Sequence, residues 1–493
     1  MSSAAPTATP GLERADAEGL VRGRAWAVAV YGGAAAWSVV LFVVVREAFQ
    51  GYRLGRFDLG NMVQAVWSTT QGRPLEYTHS AGEQMVRLGA HADPFLVLLA
   101  PLWLVWPSPL ALGLAQILVV AAGAFPVFWL GRRHLGSERA AGLLALAYLA
   151  YPWIATSAVG AIHPVTFAIT FLLFAVWCLD TERLAPFAVF AALTMSTGEL
   201  MGLPILGLGV WFALARGRRG AGGLIAAAGV LWTCLAIFVV VPAFAGDDSM
   251  YFGFYDEVGG SPQGVLRMLV TDPLTVLGAL VEPNDIAYVV WLGLPLLGLF
   301  LLSPGLAAVA LPQLLANGLS DFRSMSDPRY HSVAAIVPFL FAATVFGLVR
   351  VREGRRIPLA AAVLVTCAAL SLVLGPWARA VGLTPLGGRD SLPGDRVASL
   401  DVAVALVPDG APVSASNTAG VRLSDRRYVY SVPVLGRAEW VVVDTADPWV
   451  VREGSPILSN DADAVAGFVE RLRGDPRWIV VLDRGGVVVL RRA

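Results

Sequence analysis

The chain has 493 residues and no formal net charge; 56% of it is hydrophobic, only 15% is charged, and mean hydropathy is +0.66. Soluble domains run at roughly 45–50% apolar and 25% charged, so the composition excludes an ordinary soluble enzyme and points to an integral membrane protein. The 36 basic residues are all arginine and sit in short clusters rather than one broad patch, which gives no footing for a nucleic-acid partner.

In chain order, residues 1–24 read as a polar, disordered cytoplasmic tail running into an uncleaved first span. Apolar runs of a length to cross ~30 Å of hydrocarbon lie near 25–46, 109–130, 138–158, 163–179, 184–199, 201–215, 223–245, 286–303, 304–319, 332–349 and 357–376. They predict a polytopic helical membrane domain of about eleven spans over 25–376. "FLVLLAPLWLVW" (95–106) is too short to cross and reads as re-entrant or interfacial. With the N-terminus inside, "GRRHLGSER" (131–139), "DTER" (180–183), "ARGRRG" (215–220) and "VRVREGRR" (349–356) all fall inside as well, as the positive-inside bias requires. External loops then occupy about 47–108, 246–285 (with Asp247 and Asp248) and 320–331. Cys178, Cys234 and Cys367 lie in apolar runs without Cys-x-x-Cys spacing, so neither a zinc site nor a disulfide framework is indicated.

From 377 to 493 the apolar runs shrink to strand length: "VAVALV", "APVSAS", "RRYVYSV", "EWVVVDT", "WIVVLD" and "GVVVLRR", with "DADAVAGFVERLR" as a helix. This is the pattern of a small extracytoplasmic α/β domain. "DRGGVVV" (483–489) reads as a hairpin turn and "VPDGAP" (407–412) as a β-turn, not as phosphate loops.

The external loops hold the candidate chemistry. In "GRFDLGNMVQAVW" (55–67), Leu59, Met62, Val63, Val66 and Trp67 share one helical face while Asn61, Gln64 and Ser68 face away, predicting a short helix on the outer membrane surface. Asp58 at its start is an N-cap, a carboxylate placed for chemistry, or both. In "RLGAHADPF" (87–95), Asp93 turns the chain before Pro94 with His91 solvated, or the two hold a phosphate or a divalent metal. His163 precedes Pro164 at the start of a span, and Glu199 sits at the turn "STGELMG", where an acid near the bilayer needs water or a partner. "SDFRSMSDPRYHSV" (320–333) contributes Arg323, Arg329, Tyr330 and His331. Arginines on the outer side run against the orientation bias; they recognise phosphate through bidentate bonds, or pair with Asp321 and Asp327 in their own loop.

The stretches "FDLGNMVQAVW", "GAHADPFLVLLAPLW" with "PSPLALGLAQ", "HPVTFAI", the turn at Glu199, "RYHSVAAIVPFLFAA" (329–343) and "ALVPDGAPVSASNTAGVRLSDRRYVYSVP" (405–433) come in an order that resembles the bacterial membrane family "domain of unknown function 2079". That family is distantly similar to the C-type (GT-C) glycosyltransferases, which take sugars from polyprenyl-phosphate donors. The resemblance implies a GT-C-like bundle in the bacterial plasma membrane and inverting transfer to a cell-envelope acceptor on the outer face. Asp58 would be the general base and Arg323 and Arg329 phosphate clamps; His91, Asp93, His163, Glu199, Tyr330 and His331 would bind substrate, with Gln64 and Trp67 secondary. The C-terminal domain would recognise the acceptor or cap the site. No cofactor is called for beyond the open question of a divalent metal. Two other classes remain: a transporter or flippase, which needs ionisable groups deep in several spans and helices broken near the midplane, and a membrane-anchored sensor or scaffold.

Overall fold

The computed structural model describes residues 10–160, 162–246, 250–377, 392–451 and 458–493; the acidic pair Asp247 and Asp248 lies outside them. Four helices are each long and apolar enough to cross a membrane: Ala25–Gln50, Pro109–Leu135, Arg219–Ala245 and Glu353–Leu374. A fifth path, Glu138–Ala150 followed by Pro152–Val159, bends by 46° where Pro152 lacks the amide that would continue the ladder. Shorter apolar helices, Pro164–Asp180, Leu184–Met195, Glu199–Ala215 and Val337–Val349, complete the bundle. The first helix starts at Pro10, so residues 10–24 are helical where an irregular tail was expected; their Leu, Glu, Ala and Arg are good helix formers continuing an already nucleated span. The runs near 286–303 and 304–319 are not continuous spans. Each is broken into pieces, Pro283–Gly293, Leu294–Leu296 and Leu299–Leu302, then Pro304–Ala307, Ala308–Ala310 and Leu311–Gly318. Pro295 and Pro304 withhold donors, and Leu297 and Gly298 reverse the backbone at φ 55° and 67°.

The basic loops meet at one end of the bundle. Asp180, its side chain fully buried, takes Arg133 Nε at 3.0 Å, His134 Nε2 at 2.9 Å and the Arg216 guanidinium. Arg356 Nη1 donates to Leu135 O at 3.2 Å, joining the fourth basic loop to them. The helix Pro164–Asp180 has 17 residues, about 26 Å at 1.5 Å per residue, and separates this end from His163 at the other.

The C-terminal region is a three-layer α/β unit. A five-stranded sheet has the order β4-β3-β5-β9-β8, with β3 Val413–Ala415, β4 Val429–Ser431, β5 Trp440–Asp444, β8 Trp478–Arg484 and β9 Val487–Arg492. Two-stranded ribbons β1 Glu76–Thr78 with β2 Gln84–Val86, and β6 Trp449–Val451 with β7 Leu458–Asn460, lie apart from it. β3 runs parallel to both β4 and β5, and β9 antiparallel to β5 and β8. Alternation sorts the core: Val441, Val443, Val488 and Leu490 pack under the helix Ala462–Arg473, while Val442, Val487 and Val489 pack under Gly394–Leu406. "VAVALV", expected as a strand, is the end of that second helix; Val397, Leu400, Ala403, Val404 and Val407 follow a helical period against the sheet. Gly485 and Gly486, both at positive φ, form the two-residue turn of the β8–β9 hairpin as the sequence indicated.

β4 is an edge strand, and the loop that follows the first helix covers it. Gln64 Nε2 donates to the carbonyls of Arg426 (3.0 Å) and Arg427 (2.9 Å), and Val429 N donates to Thr78 Oγ1 at 3.2 Å. The buried Arg56 guanidinium donates to Val429 O, Ser431 Oγ and Thr78 O. Edge strands left open template unwanted pairing, and here side chains of another segment take the edge groups. The helix Asn61–Thr70 therefore does not lie on the membrane surface with a wet face. Leu59, Met62, Val63 and Val66 pack on Phe95, Leu96, Leu99, Trp103 and Phe167, while Gln64 and Ser68 are just as buried on the other side. Gln64 belongs to this interface, and Trp67 carries the Arg73 guanidinium 5.3 Å above its ring.

The fit leaves no room at Gly55, where a Cβ would sit 2.4 Å from the Asn417 amide. Gly55→Ala should weaken the docking of loop and domain by about 1–3 kcal/mol, as overpacking does. Hydrogen exchange should read this as faster exchange confined to residues 55–60 and the β4 edge.

Candidate functional site

At the end of the bundle opposite Asp180, four segments distant in sequence converge. His163 is held just ahead of its helix by Pro164, whose ring suits the first helical turn, and His331 opens a short turn ahead of Val337–Val349. Their imidazoles stack with centroids 3.8 Å apart and planes at 25°. His91 Nδ1 lies 3.2 Å from Glu199 Oε1, and Glu199 Oε2 accepts from Ala92 N at 3.2 Å. Arg87 Nε donates to Asp93 Oδ2 at 2.8 Å, both groups buried.

Asp58 is exposed and close enough to His331 for its carboxylate to favour the protonated ring. Its predicted N-cap is not formed. Gly55 is the capping position and makes no side-chain cap, and Asp58 lies inside the first turn, Arg56–Gly60, which is a π-turn. The reason is local: Phe57 N is taken by Asn417 Oδ1 at 3.0 Å, so the domain supplies the acceptor an N-cap would have supplied. The exposed Asp58 carboxylate stands at the solvent side of the cluster.

The electrostatics follow from crowding. Burial, then the nearby positive charge of Arg87 and of His91, lowers the His163 pKa to about 3. His331 is pushed well below the usual imidazole range by burial and by His163, with Asp58 pulling the other way. Both rings are neutral at physiological pH. Burial alone would raise Glu199, but the His91 charge and the hydrogen bonds from His91 and Ala92 outweigh it and hold the carboxyl low, hence ionised. Burial raises Asp93 to about 6 in spite of Arg87.

Three contributors were missed in the sequence. Arg87 lay in a quoted stretch but was passed over for its neighbours. Tyr255, in the turn Met250–Val258, is raised to about 12 by burial and by the charges of Glu199 and Asp321, which places it beside the site. Gln116, fully buried in a span, accepts from His163 N at 3.1 Å and donates to Ser157 O and Ala158 O at 3.3 and 3.2 Å. It ties the bent helix pair to the turn carrying His163; a lone glutamine within an apolar run was the signal.

The predicted arginines are elsewhere. Arg329 makes a two-pronged pair with Asp327, with Nε at 3.0 Å from Oδ1 and Nη2 at 2.6 Å from Oδ2. Tyr330 is exposed. Arg323 lines a groove of about 340 Å³ with Glu257, Glu282, Asp285, Asp321 and Asp327. The alternative of pairing within the loop thus describes Arg329 as it stands. His91 and Asp93 turn to different partners, and among the described residues no three His, Cys, Asp or Glu side chains are grouped to hold a metal ion.

A bundle with the histidine cluster at one end and the Asp180 ion pairs at the other, carrying an α/β domain docked on its first loop, is the architecture of a polytopic membrane protein. Residues 51–489 match the family described as "Predicted membrane protein (DUF2079)", and the chain belongs to it. Among solved structures it is similar to ArnT from Cupriavidus metallidurans bound to undecaprenyl phosphate, with 13% identity and a TM-score of 0.50 over 94% of this chain and 97% of that one. Archaeal oligosaccharyltransferase AglB from Archaeoglobus fulgidus, in complex with an inhibitory peptide and a dolichol-phosphate, matches at 12% identity and a TM-score of 0.45 over 83% of this chain and 69% of that one. The likeness to ArnT is one of fold. No curated protein matches.

The lowered imidazoles predict a pH signature. A histidine whose folded pKa is depressed contributes stability present above its unfolded value, near 6.5, that is lost as pH falls towards the folded value. Melting temperature should therefore fall as pH drops from about 6.5 towards 3, and His163→Gln should flatten that slope while leaving the neutral-pH melt within a few degrees, as measured in nanodiscs.

Proposed function

We propose that this protein is a membrane glycosyltransferase of the GT-C type. It would transfer a sugar from a polyprenyl-phosphate donor to a cell-envelope acceptor on the outer face of a bacterial plasma membrane, with inversion. The reading rests on one observation above others: Asp58, the stacked His163 and His331, and the His91–Glu199 pair meet at one end of a bundle that shares its fold with a protein crystallised with undecaprenyl phosphate. The chain would cross the membrane about eleven times, counting the broken segments 283–302 and 304–318 as one crossing each. The N-terminus would be cytoplasmic and residues 392–493 outside.

In this mechanism Asp58 accepts the proton of the acceptor hydroxyl as its oxygen bonds to the anomeric carbon. The bond from that carbon to the phosphate oxygen breaks, and the electron pair leaves on the lipid phosphate. Neutral His163 and His331 donate N–H bonds to the departing phosphate, with the Arg87 charge behind them. Glu199 and Tyr255 hold the His91 side of the cluster. Arg323 and Arg329 would act as phosphate clamps from the loop that leads to His331; the exposed Arg329–Asp327 pair is worth little in water and can be exchanged for a phosphate. The C-terminal domain acts by holding the loop that carries Asp58. The transporter reading has less support: ionisable groups sit at the two ends of the bundle, with Asp180 committed to Arg133, His134 and Arg216 at the inner one.

Native mass spectrometry of the purified protein should find a polyprenyl phosphate, or its glycosylated form, travelling with it. His331→Ala should weaken that retention. Asp58→Asn should keep the lipid but cut transfer by about 100-fold or more, the usual worth of a general base. Bulk phospholipid alone, across independent preparations, would sink the reading.

A further inference from the structure

The second of the expected external regions, 246–285, carries an apolar surface that neither the site nor the bundle uses. Two helices, Pro262–Thr271 and Pro273–Ala279, follow one another with a break at Asp272. Over residues 262–281 the only charges are Arg267 and Asp272. Val276 is buried at 3% exposure, and Leu280 reaches the backbone at Gly318, so one side of the pair is seated on the protein. The other side is apolar too: Leu266, Leu269, Val270, Leu274, Leu277 and Val281 are between 51% and 82% exposed. A helix pair standing in water would carry polar residues there, and soluble surfaces seldom leave an apolar patch of this extent open.

We propose that residues 262–281 are a strap lying in the outer leaflet, its exposed apolar side immersed in lipid at the level of the headgroups. The occupant follows from continuity. Beyond an exposed polar turn at Glu282 and Asn284 the apolar surface resumes at Ile286, Val289 and Val290 of Pro283–Gly293, each more than half exposed, while Tyr288 and Leu292 on the opposite side of that helix are in the bundle core. The same kind of surface covers Arg219–Ala245, whose Leu224, Leu231 and Val239 are exposed along a helix long enough to span. The strap thus extends the lipid-facing belt sideways instead of starting a separate patch, and Arg267 on its border is suited to reach lipid phosphates.

The placement has a consequence for access. The acidic groove with Glu282, Asp285 and Asp321 is lined at one margin by Ala279, Asn284 and Ala287, the end of the strap and the start of the next helix. Its mouth would open beside lipid headgroups, so a headgroup still attached to its chain could enter sideways. The inference rests only on the chain spanning a membrane, not on the proposed transfer reaction.

The test is depth measurement by spin labels on the full chain in lipid nanodiscs. Cys234→Ala removes the exposed thiol, and Cys178 and Cys367 are buried. Nitroxides would be placed at Val270→Cys and, in a second variant, Leu274→Cys, with Glu282→Cys as the groove reference. Both strap labels should collide with dissolved oxygen severalfold more than with a water-soluble nickel chelate, and the Glu282 label should show the reverse. Strap labels relaxed mainly by the chelate would mean a water-facing surface. Labels reached by neither reagent would mean a protein cover, such as a second copy of the chain. Either result overturns the proposal, and the two positions, both strongly exposed, guard against a single variant that fails to fold.

Discussion

The buried guanidinium of Arg56 is the constraint from which the contact between the first loop and the C-terminal α/β unit is organised. It is 1% exposed, and the hydrogen bonds it makes go to neutral oxygens: two backbone carbonyls and the hydroxyl of Ser431. Burial lowers its pKa to about 10, leaving it charged at neutral pH. A buried cation is tolerated only where dipoles replace its water, and those dipoles come from both the loop after the first helix (Thr78) and the edge strand β4. Loop and domain are therefore obliged to stay together: separating them would leave carbonyls open on one side and a charge on the other. Asp58 lies two residues further along the same turn, so the position of the exposed carboxylate is set by a domain that begins more than 300 residues later.

Glycine makes that contact possible. Gly55 passes the Asn417 amide, Gly60 passes the Ser424 hydroxyl, and Gly420 passes the Arg56 side chain, each too close for a Cβ. The "FDLG" block thus owes its composition to packing as much as to chemistry. Phenylalanine and leucine flank the carboxylate, glycine closes the turn, and the arginine before them is the anchor. A motif that reads as a site in one dimension is, in three, the joint between two domains with one exposed carboxylate at its edge.

Much of the bundle was legible because its determinants are local. Length and apolar content marked Ala25–Gln50 and Glu353–Leu374, and the arginine loops sorted themselves to one end, where Asp180 gathers three of their side chains. The sheet was legible wherever β-branched runs stood alone, as in β5 and β9. What failed depended on partners far along the chain. Gln64 looked solvent-facing because periodicity cannot tell water from the edge of a sheet 362 residues away. "VAVALV" looked like a strand because apolar density hides a helical period when the sheet it covers is not yet known. Among the site residues, His163 and His331 were singled out separately, but nothing in sequence spacing could foretell that their rings stack. The arginines of 320–331 left two readings open, phosphate or a carboxylate of their own loop, and Asp327, two residues from Arg329, takes it.

The stacked imidazoles explain why an anion would matter here more than the count of positive charges suggests. Two rings at 3.8 Å cannot both hold protons cheaply, and burial with Arg87 and His91 adds to the cost, so the rings stay neutral. A phosphate placed against them reverses the sign of that field and favours protonation. By linkage, the anion and the proton then bind more tightly together than either does alone. Asp58, on the solvent side of His331, already favours the charged ring. In the proposed reaction the same neighbourhood receives a proton from the acceptor at Asp58 and charge on the phosphate at the histidines. A site tuned to neutrality before reaction would thus gain its electrostatic attraction as the bond breaks, which is where such attraction accelerates chemistry instead of merely tightening substrate.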